Sequence, residues 1–104
     1  MRIEIRTDRR LESRRDLSEE VEVVVEKALS GFGDRITSVE VRLSGEEDPP
    51  SGRGDKRCLL ETRTERFEPI LTSHLASNVP EAVDGACGKT RRSLEKKVET
   101  LRRR

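Results

Sequence analysis

The sequence predicts an α+β fold in the order β-α-β-β-β-α, one four-stranded mixed sheet with both helices packed on a single face. Two segments each carry one apolar stripe at steps of three and four residues, which is the pattern of an amphipathic helix. Short segments of alternating apolar and polar residues read as strands with one buried face. The first helix lies between the first two strands, and a strand-helix-strand unit takes a right-handed crossover that sets its strands parallel. The later strands are free to run antiparallel. With one stripe per helix, both helices most simply cover the same face of the sheet.

In the first strand Ile3 and Ile5 alternate with Arg2, Glu4 and Arg6. The polar run Thr7 to Arg15 follows, with Arg9, Arg10, Arg14 and Arg15. It reads either as a solvated connection or as a basic rim for phosphate. The first helix spans Leu17 to Ser30, with Leu17, Val21, Val24, Val25, Ala28 and Leu29 as its stripe. Asp16 or Ser18 can cap it, and Glu19, Glu20 and Glu22 suit the positive end of its dipole. Gly31 stands where a helix can end in a left-handed turn. The second strand, Ile36 to Ser44, puts Val39, Val41 and Leu43 on one side and Glu40 and Arg42 on the other.

Gly45 to Asp55 is rich in Gly and Pro and reads as a loop. Its Arg53-Gly54-Asp55 tripeptide matches a cell-adhesion motif, which is coincidence in a chain with no export signal. The third strand, Lys56 to Thr64, directs Cys58, Leu60 and Thr62 one way and Arg57, Leu59, Glu61 and Arg63 the other. A short turn at Glu65-Arg66 makes a hairpin with the fourth strand, Pro69 to Leu75, whose buried face is ambiguous. The second helix opens on Asn78-Val79-Pro80-Glu81, where Asn78 can accept from a backbone N–H and Glu81 can reach back to the cap. Its stripe is Val79, Ala82, Val83, Ala86, Cys87, Leu94, Val98 and Leu101. Gly85 and Gly88 inside it should each cost about 0.8–1 kcal/mol relative to Ala, which close packing against the sheet would explain.

A chain of 104 residues with 31% hydrophobic residues and two aromatics, Phe32 and Phe67, makes a single domain over residues 1–104 with a small core. No apolar run approaches the roughly 18 residues of a membrane span, and no signal peptide precedes the first strand, so a cytoplasmic protein is expected. The net charge of +1 hides a segregation. Asp16 to Leu29 is net −4, while Lys89 to Arg104 carries eight Lys or Arg against Glu95 and Glu99, a net of +6. A near-neutral total does not suggest nucleic acid, but this segregation does.

The chain contains no catalytic constellation. His74 is the sole histidine and has no paired nucleophile in a recognisable motif, so it reads as a sheet-surface or edge residue. Cys58 and Cys87 form neither a disulfide framework nor a metal-ligand spacing. They read as small core hydrophobes, reduced and largely buried. No glycine-rich phosphate loop is present. No enzyme activity, cofactor, metal or small-molecule substrate is therefore expected. The chemistry lies in the basic helix, because Lys and Arg neutralise phosphates whatever the base sequence. The scarcity of aromatics argues against base stacking with single strands and for reading the shape and backbone of folded RNA. A solvated helix face with a basic tail is the alternative.

Gly54-Asp55-Lys56-Arg57-Cys58-Leu59-Leu60-Glu61 on the third strand, and Ala82-Val83-Asp84 opening a basic last helix, occur in this element order. Together they resemble the ribosome hibernation-promoting factor / protein Y family, also called ribosome-associated inhibitors or sigma-54 modulation proteins. Ala82, Asp84, Lys89, Arg92, Leu94 and Lys96 fall on the family's last-helix frame, and the resemblance covers roughly residues 2 to 103. Thr90 stands where the family places an apolar residue, and Arg9-Arg10 stands where it has a His-containing segment.

The resemblance implies a non-enzymatic translation inhibitor, monomeric off the ribosome. It would bind the small ribosomal subunit between head and body through rRNA, occupy the decoding and tRNA-site region, and silence ribosomes in stationary phase or stress. It also implies a short form, without the C-terminal dimerisation domain of long members. On it Lys89, Arg91, Arg92 and Lys96 contact rRNA, with Arg57, Arg63, Arg9 and Arg10 as weaker candidates. The rivals are a general structured-RNA or double-stranded-RNA binder, because the fold resembles a double-stranded-RNA-binding domain with an added strand, and a protein-interaction module using the acidic first helix.

Overall fold

A computed structural model describes residues 1–8, 15–45 and 56–103. Its elements are β1 (Arg2–Thr7), α1 (Arg15–Leu29), a 3-10 turn (Ser30–Phe32), β2 (Ile36–Gly45), β3 (Lys56–Thr64), β4 (Ile70–Ala76) and α2 (Val79–Arg102). The strands form one sheet in the order β1-β2-β3-β4, with β1 parallel to β2 and the other pairs antiparallel. This is the β-α-β-β-β-α mixed sheet that the alternation and the crossover rule predict.

The register shows why one face is apolar. Ile5, Val41, Leu60 and Thr72 form one row across the sheet, Ile3, Val39, Thr62 and Ile70 the next, and Thr7, Leu43, Cys58 and His74 a third. Both helices cover these rows. Val21, Val25 and Leu29 of α1 and Val83, Ala86, Cys87 and Leu94 of α2 join the strand residues in one core. α2 packs on β3 and β4, and α1 lies against β1 and along α2. The ambiguity in β4 is resolved by this packing: Ile70, Thr72, His74 and Ala76 turn inward, leaving Leu71 and Leu75 exposed on the open face.

Three local expectations are corrected. α1 already includes Arg15, so neither Asp16 nor Ser18 precedes it as a cap. Gly31 is not left-handed, because the helix tightens into the 3-10 turn and Gly33 takes a right-handed conformation. The Ser30 hydroxyl there donates to the Lys27 carbonyl at 3.0 Å. At the start of α2, Asn78 Oδ1 accepts from the Glu81 N–H at 2.9 Å as expected. The Glu81 carboxylate does not close the reciprocal box; it accepts from the Ser77 hydroxyl at 3.4 Å.

Candidate nucleic-acid interface

α2 runs antiparallel to β4 and reaches the β3–β4 turn at Lys97, whose ammonium lies 5.6 Å from the Phe67 ring centroid. Its last turn therefore projects past the sheet. Residues 89, 92, 96 and 103 recur at three, four and seven, so Lys89, Arg92, Lys96 and Arg103 share one flank of the helix. All four are exposed.

Lys89 marks where this flank lies. Its Nζ donates to the Ser73 carbonyl of β4 at 2.7 Å, so the basic flank borders the free edge of the sheet. By occupying that edge carbonyl from the helix, Lys89 also helps to blunt the edge against pairing with another chain. Lys89 thus has a structural partner that the helix spacing alone does not reveal. Arg103 is paired with Glu99 at 2.7 Å, an exposed contact.

Two glycines shape the same flank. A Cβ on Gly85 would overlap the His74 imidazole, so the close approach of α2 to β4 requires glycine there. His74 is an edge-strand residue as expected, but it faces the helix and is half-buried. At Gly88 a Cβ would make only ordinary contact with Arg92 Nη1, at 3.6 Å.

Thr90, the residue standing at an apolar position of the family frame, is fully buried. Its hydroxyl lies 2.8 Å from the Thr72 hydroxyl and 3.1 Å from the Ala86 carbonyl, which also accepts from Thr72 at 3.2 Å. The polar pair on α2 and β4 satisfies itself inside the interface. The helical period places residue 90 on the buried stripe, four residues from both Ala86 and Leu94, although a stripe read from apolar residues alone leaves it out.

The other candidate residues are dispersed. Arg91 sits about 200° around α2 from Lys89, beside Cys87 and away from the basic flank. Arg57 and Arg63 are exposed on the opposite, open face of the sheet. That face is a lattice of charges: Arg2 pairs with Glu4 at 2.8 Å, Arg6 and Arg42 with Glu40 at 3.5 and 3.0 Å, and Arg63 with Glu61 at 3.2 Å. Each such pair is worth about 0–1 kcal/mol. Arg9, Arg10 and the segment 46–55, with its Arg-Gly-Asp tripeptide, lie outside the described residues.

Cys58 and Cys87 are both buried and reduced. Burial, with Cys87 nearby, pushes the Cys58 thiol up to about 12. Burial and then Asp84 push Cys87 up to about 11, against a smaller lowering by Arg91. These thiols are poor nucleophiles and poor metal ligands, since both roles need the thiolate. Among the described residues no group of three or more His, Cys, Asp or Glu could hold a metal ion, and no helix is long and apolar enough to cross a membrane.

No protein-family model and no curated protein sequence matches this chain. Solved structures do match its fold. A ribosomal subunit interface protein from Coxiella burnetii superposes with a TM-score of 0.73 at 16% identity, covering 95% of this chain and 99% of that one. The N-terminal domain of Thermus thermophilus Protein Y gives a TM-score of 0.74 at 16% identity, covering 92% and 98%. The chain therefore has the protein Y fold along almost its whole length.

Proposed function

We propose that this protein is a non-enzymatic ribosome-binding translation inhibitor of the hibernation-factor type, acting in the cytoplasm when ribosomes are idled in stationary phase or stress. The observation that carries the proposal is the basic flank of α2, Lys89, Arg92, Lys96 and Arg103, beside the sheet edge of a fold shared with a ribosomal subunit interface protein. On this reading Arg92 and Lys96 contact rRNA phosphates of the small subunit in the decoding and tRNA-site region. Arg contributes a planar fork for phosphate oxygens and Lys a point charge. Lys89 adds to the field while bound to β4. Arg91, Arg57 and Arg63 face elsewhere and contribute less.

The test is sedimentation of the purified protein with ribosomes on sucrose gradients. The parent protein should migrate with small subunits. Arg92→Glu combined with Lys96→Glu should weaken binding about 100-fold, the loss of two charge-assisted contacts at about 1.5 kcal/mol each. Lys89 is left out of the pair because its removal also disturbs the β4 edge. Undiminished binding by this folded variant would refute the site. Equal binding of the parent to any duplex RNA would make it a general RNA binder instead.

A further inference from the structure

β4 is one edge of the sheet, and the ladder fixes where its backbone groups point. The Leu43 carbonyl accepts from the Asp8 N–H at 3.0 Å, so the N–H and C=O of Leu43 point to the β1 side. In antiparallel pairs these groups alternate between the two sides from one residue to the next. Cys58, opposite Leu43, therefore points to β4, and His74, opposite Cys58, points back to β3. Leu71, Ser73 and Leu75 thus aim their N–H and C=O groups out of the sheet. The Lys89 ammonium reaches the Ser73 carbonyl from that side at 2.7 Å. Among the described residues no other hydrogen bond meets these outward groups.

The two sides of this edge differ in chemistry. On the open face Leu71 is 64% and Leu75 46% exposed, with the half-buried Leu59 between them, opposite Ser73. On the helix side stand Lys89, Arg92 and Lys96. Neither Arg92 nor Lys96 has an ion-pair partner among the described residues. The nearby carboxylates do not offset these three. Glu81 stands past the end of β4, where the Ser77 hydroxyl donates to it, and Glu99 is held by Arg103. Asp84 and Glu95 lie about 140° and 120° around α2 from Lys89. The turn before β4 is balanced, with Glu65 and Glu68 against Arg66 and Lys97. On the open face Glu61, beside Leu71, is paired with Arg63, and Arg57, beside Leu75, has an interaction of its own.

A strand added to this edge alternates its side chains between the same two sides. Residues opposite Leu71, Ser73 and Leu75 fall on the apolar side, and residues opposite Thr72 and His74 on the basic side. We infer that the β4 edge is a docking site for an extended segment of a partner protein in which apolar and acidic residues alternate, added antiparallel as a fifth strand. Its N–H groups meet the outward carbonyls, its apolar residues cover Leu71 and Leu75, and its carboxylates meet Lys89, Arg92 and Lys96. Lys89 makes the edge selective, because its ammonium gives up the Ser73 carbonyl only where a carboxylate replaces it. A second copy fits badly: antiparallel pairing centred on Ser73 would set the two copies of Lys89 side by side. A phosphate-bearing ligand would meet the basic side and leave both leucines and the outward N–H groups uncovered. Arg92 and Lys96 are also the residues proposed to meet rRNA, so such a segment would compete with ribosomes. The docking itself does not depend on ribosome binding.

The experiment uses the full chain, without ribosomes, and a fluorescein-labelled peptide alternating Val and Glu over the length of β4, 7 residues. Two controls accompany it, a scrambled peptide of the same composition and an alternating Val/Lys peptide. Anisotropy should give saturable binding of the Val/Glu peptide, at least tenfold tighter than either control. Methylation of its Val backbone nitrogens, which face β4 in an antiparallel pair, should weaken binding at least tenfold. Methylation of its Glu nitrogens, which face solvent, should not. Amide exchange at Leu71, Ser73 and Leu75 should slow at least tenfold on binding. Arg92→Glu with Lys96→Glu should weaken binding at least tenfold, and Leu71→Ser, at an exposed position, about threefold. No saturable binding, equal binding of the scrambled peptide, tolerance of the Val methylation, insensitivity to the charge reversal, or unchanged exchange at the three amides would each overturn the inference. So would a concentration-dependent dimer that Leu71→Ser dissolves, which would make a second copy the occupant.

Discussion

Thr62 and Thr90 are both buried threonines at the sheet–helix interface, yet they differ in what their hydroxyls find. Thr90 has Thr72 and Ala86, whereas the Thr62 hydroxyl has no partner in a fully buried site. A buried unpartnered hydroxyl costs about 1–3 kcal/mol on protein scales. Thr62→Val removes that group at similar volume and should raise stability by about 1 kcal/mol in chemical denaturation. Loss of stability would mean that the hydroxyl is satisfied in solution. The cysteines make a second residue-scale prediction. Their folded pKa values, about 12 and 11, lie above the ordinary 9.0. The neutral thiols therefore stabilise the fold fully below pH 9.0, and that contribution is lost as pH rises through about 11 to 12. Thiolate ultraviolet absorbance should stay flat past pH 9.0 in the native protein and rise there once it is unfolded in denaturant. Fast native-state labelling of both thiols by a bulky reagent would contradict the burial.

At the scale of the element, α2 combines a strong start with two costly residues. Asn78 and Pro80 set its first turn, and Gly85 and Gly88 weaken its interior by about 0.8–1 kcal/mol each relative to Ala. The surroundings give the two glycines opposite signs. Gly88→Ala meets only ordinary contact with Arg92 and should stabilise by about 0.4–1 kcal/mol. Gly85→Ala drives a methyl into the His74 imidazole and should destabilise by about 1–3 kcal/mol. His74→Ala in the Gly85→Ala background should recover most of that loss, a coupling read directly from a double-mutant cycle in thermal or denaturant unfolding. Stabilisation by the single Gly85→Ala change would show that the ring swings out at no cost. The close packing expected from two helix-interior glycines is thus found at one of them only.

Over the whole molecule, charge is divided by α2 itself. Its β4 flank is basic, whereas the charges of the open sheet face pair with one another. A net charge of +1 conceals this arrangement. If Lys89, Arg92, Lys96 and Arg103 meet phosphates, ribosome affinity should fall with salt at a logarithmic slope of about −3, from 0.7–0.9 counterion per phosphate. The Arg92→Glu/Lys96→Glu variant should flatten that slope by about half. Measured Kd values between low and moderate salt check both, and a salt-independent Kd would exclude phosphate contacts as the source of affinity.

The alternation of Val39, Val41 and Leu43, the stripe from Leu17 to Leu29 and the Asn78 cap were enough to predict the element order and the single covered face, because side-chain period and capping are local properties. β4 was not legible in this way. Its residues Ile70 to Leu75 offer apolar side chains to both faces, and only pairing with β3 turns Leu71 and Leu75 outward. In the same way, spacing placed Lys89, Arg92 and Lys96 on one flank. The Ser73 carbonyl that holds Lys89, the His74 ring that demands Gly85, and the Thr72 hydroxyl that satisfies the buried Thr90 all lie on another element. Which helix flank meets which strand edge depends on packing between distant segments, and a repeat of three or four residues carries no information about the partner it will meet.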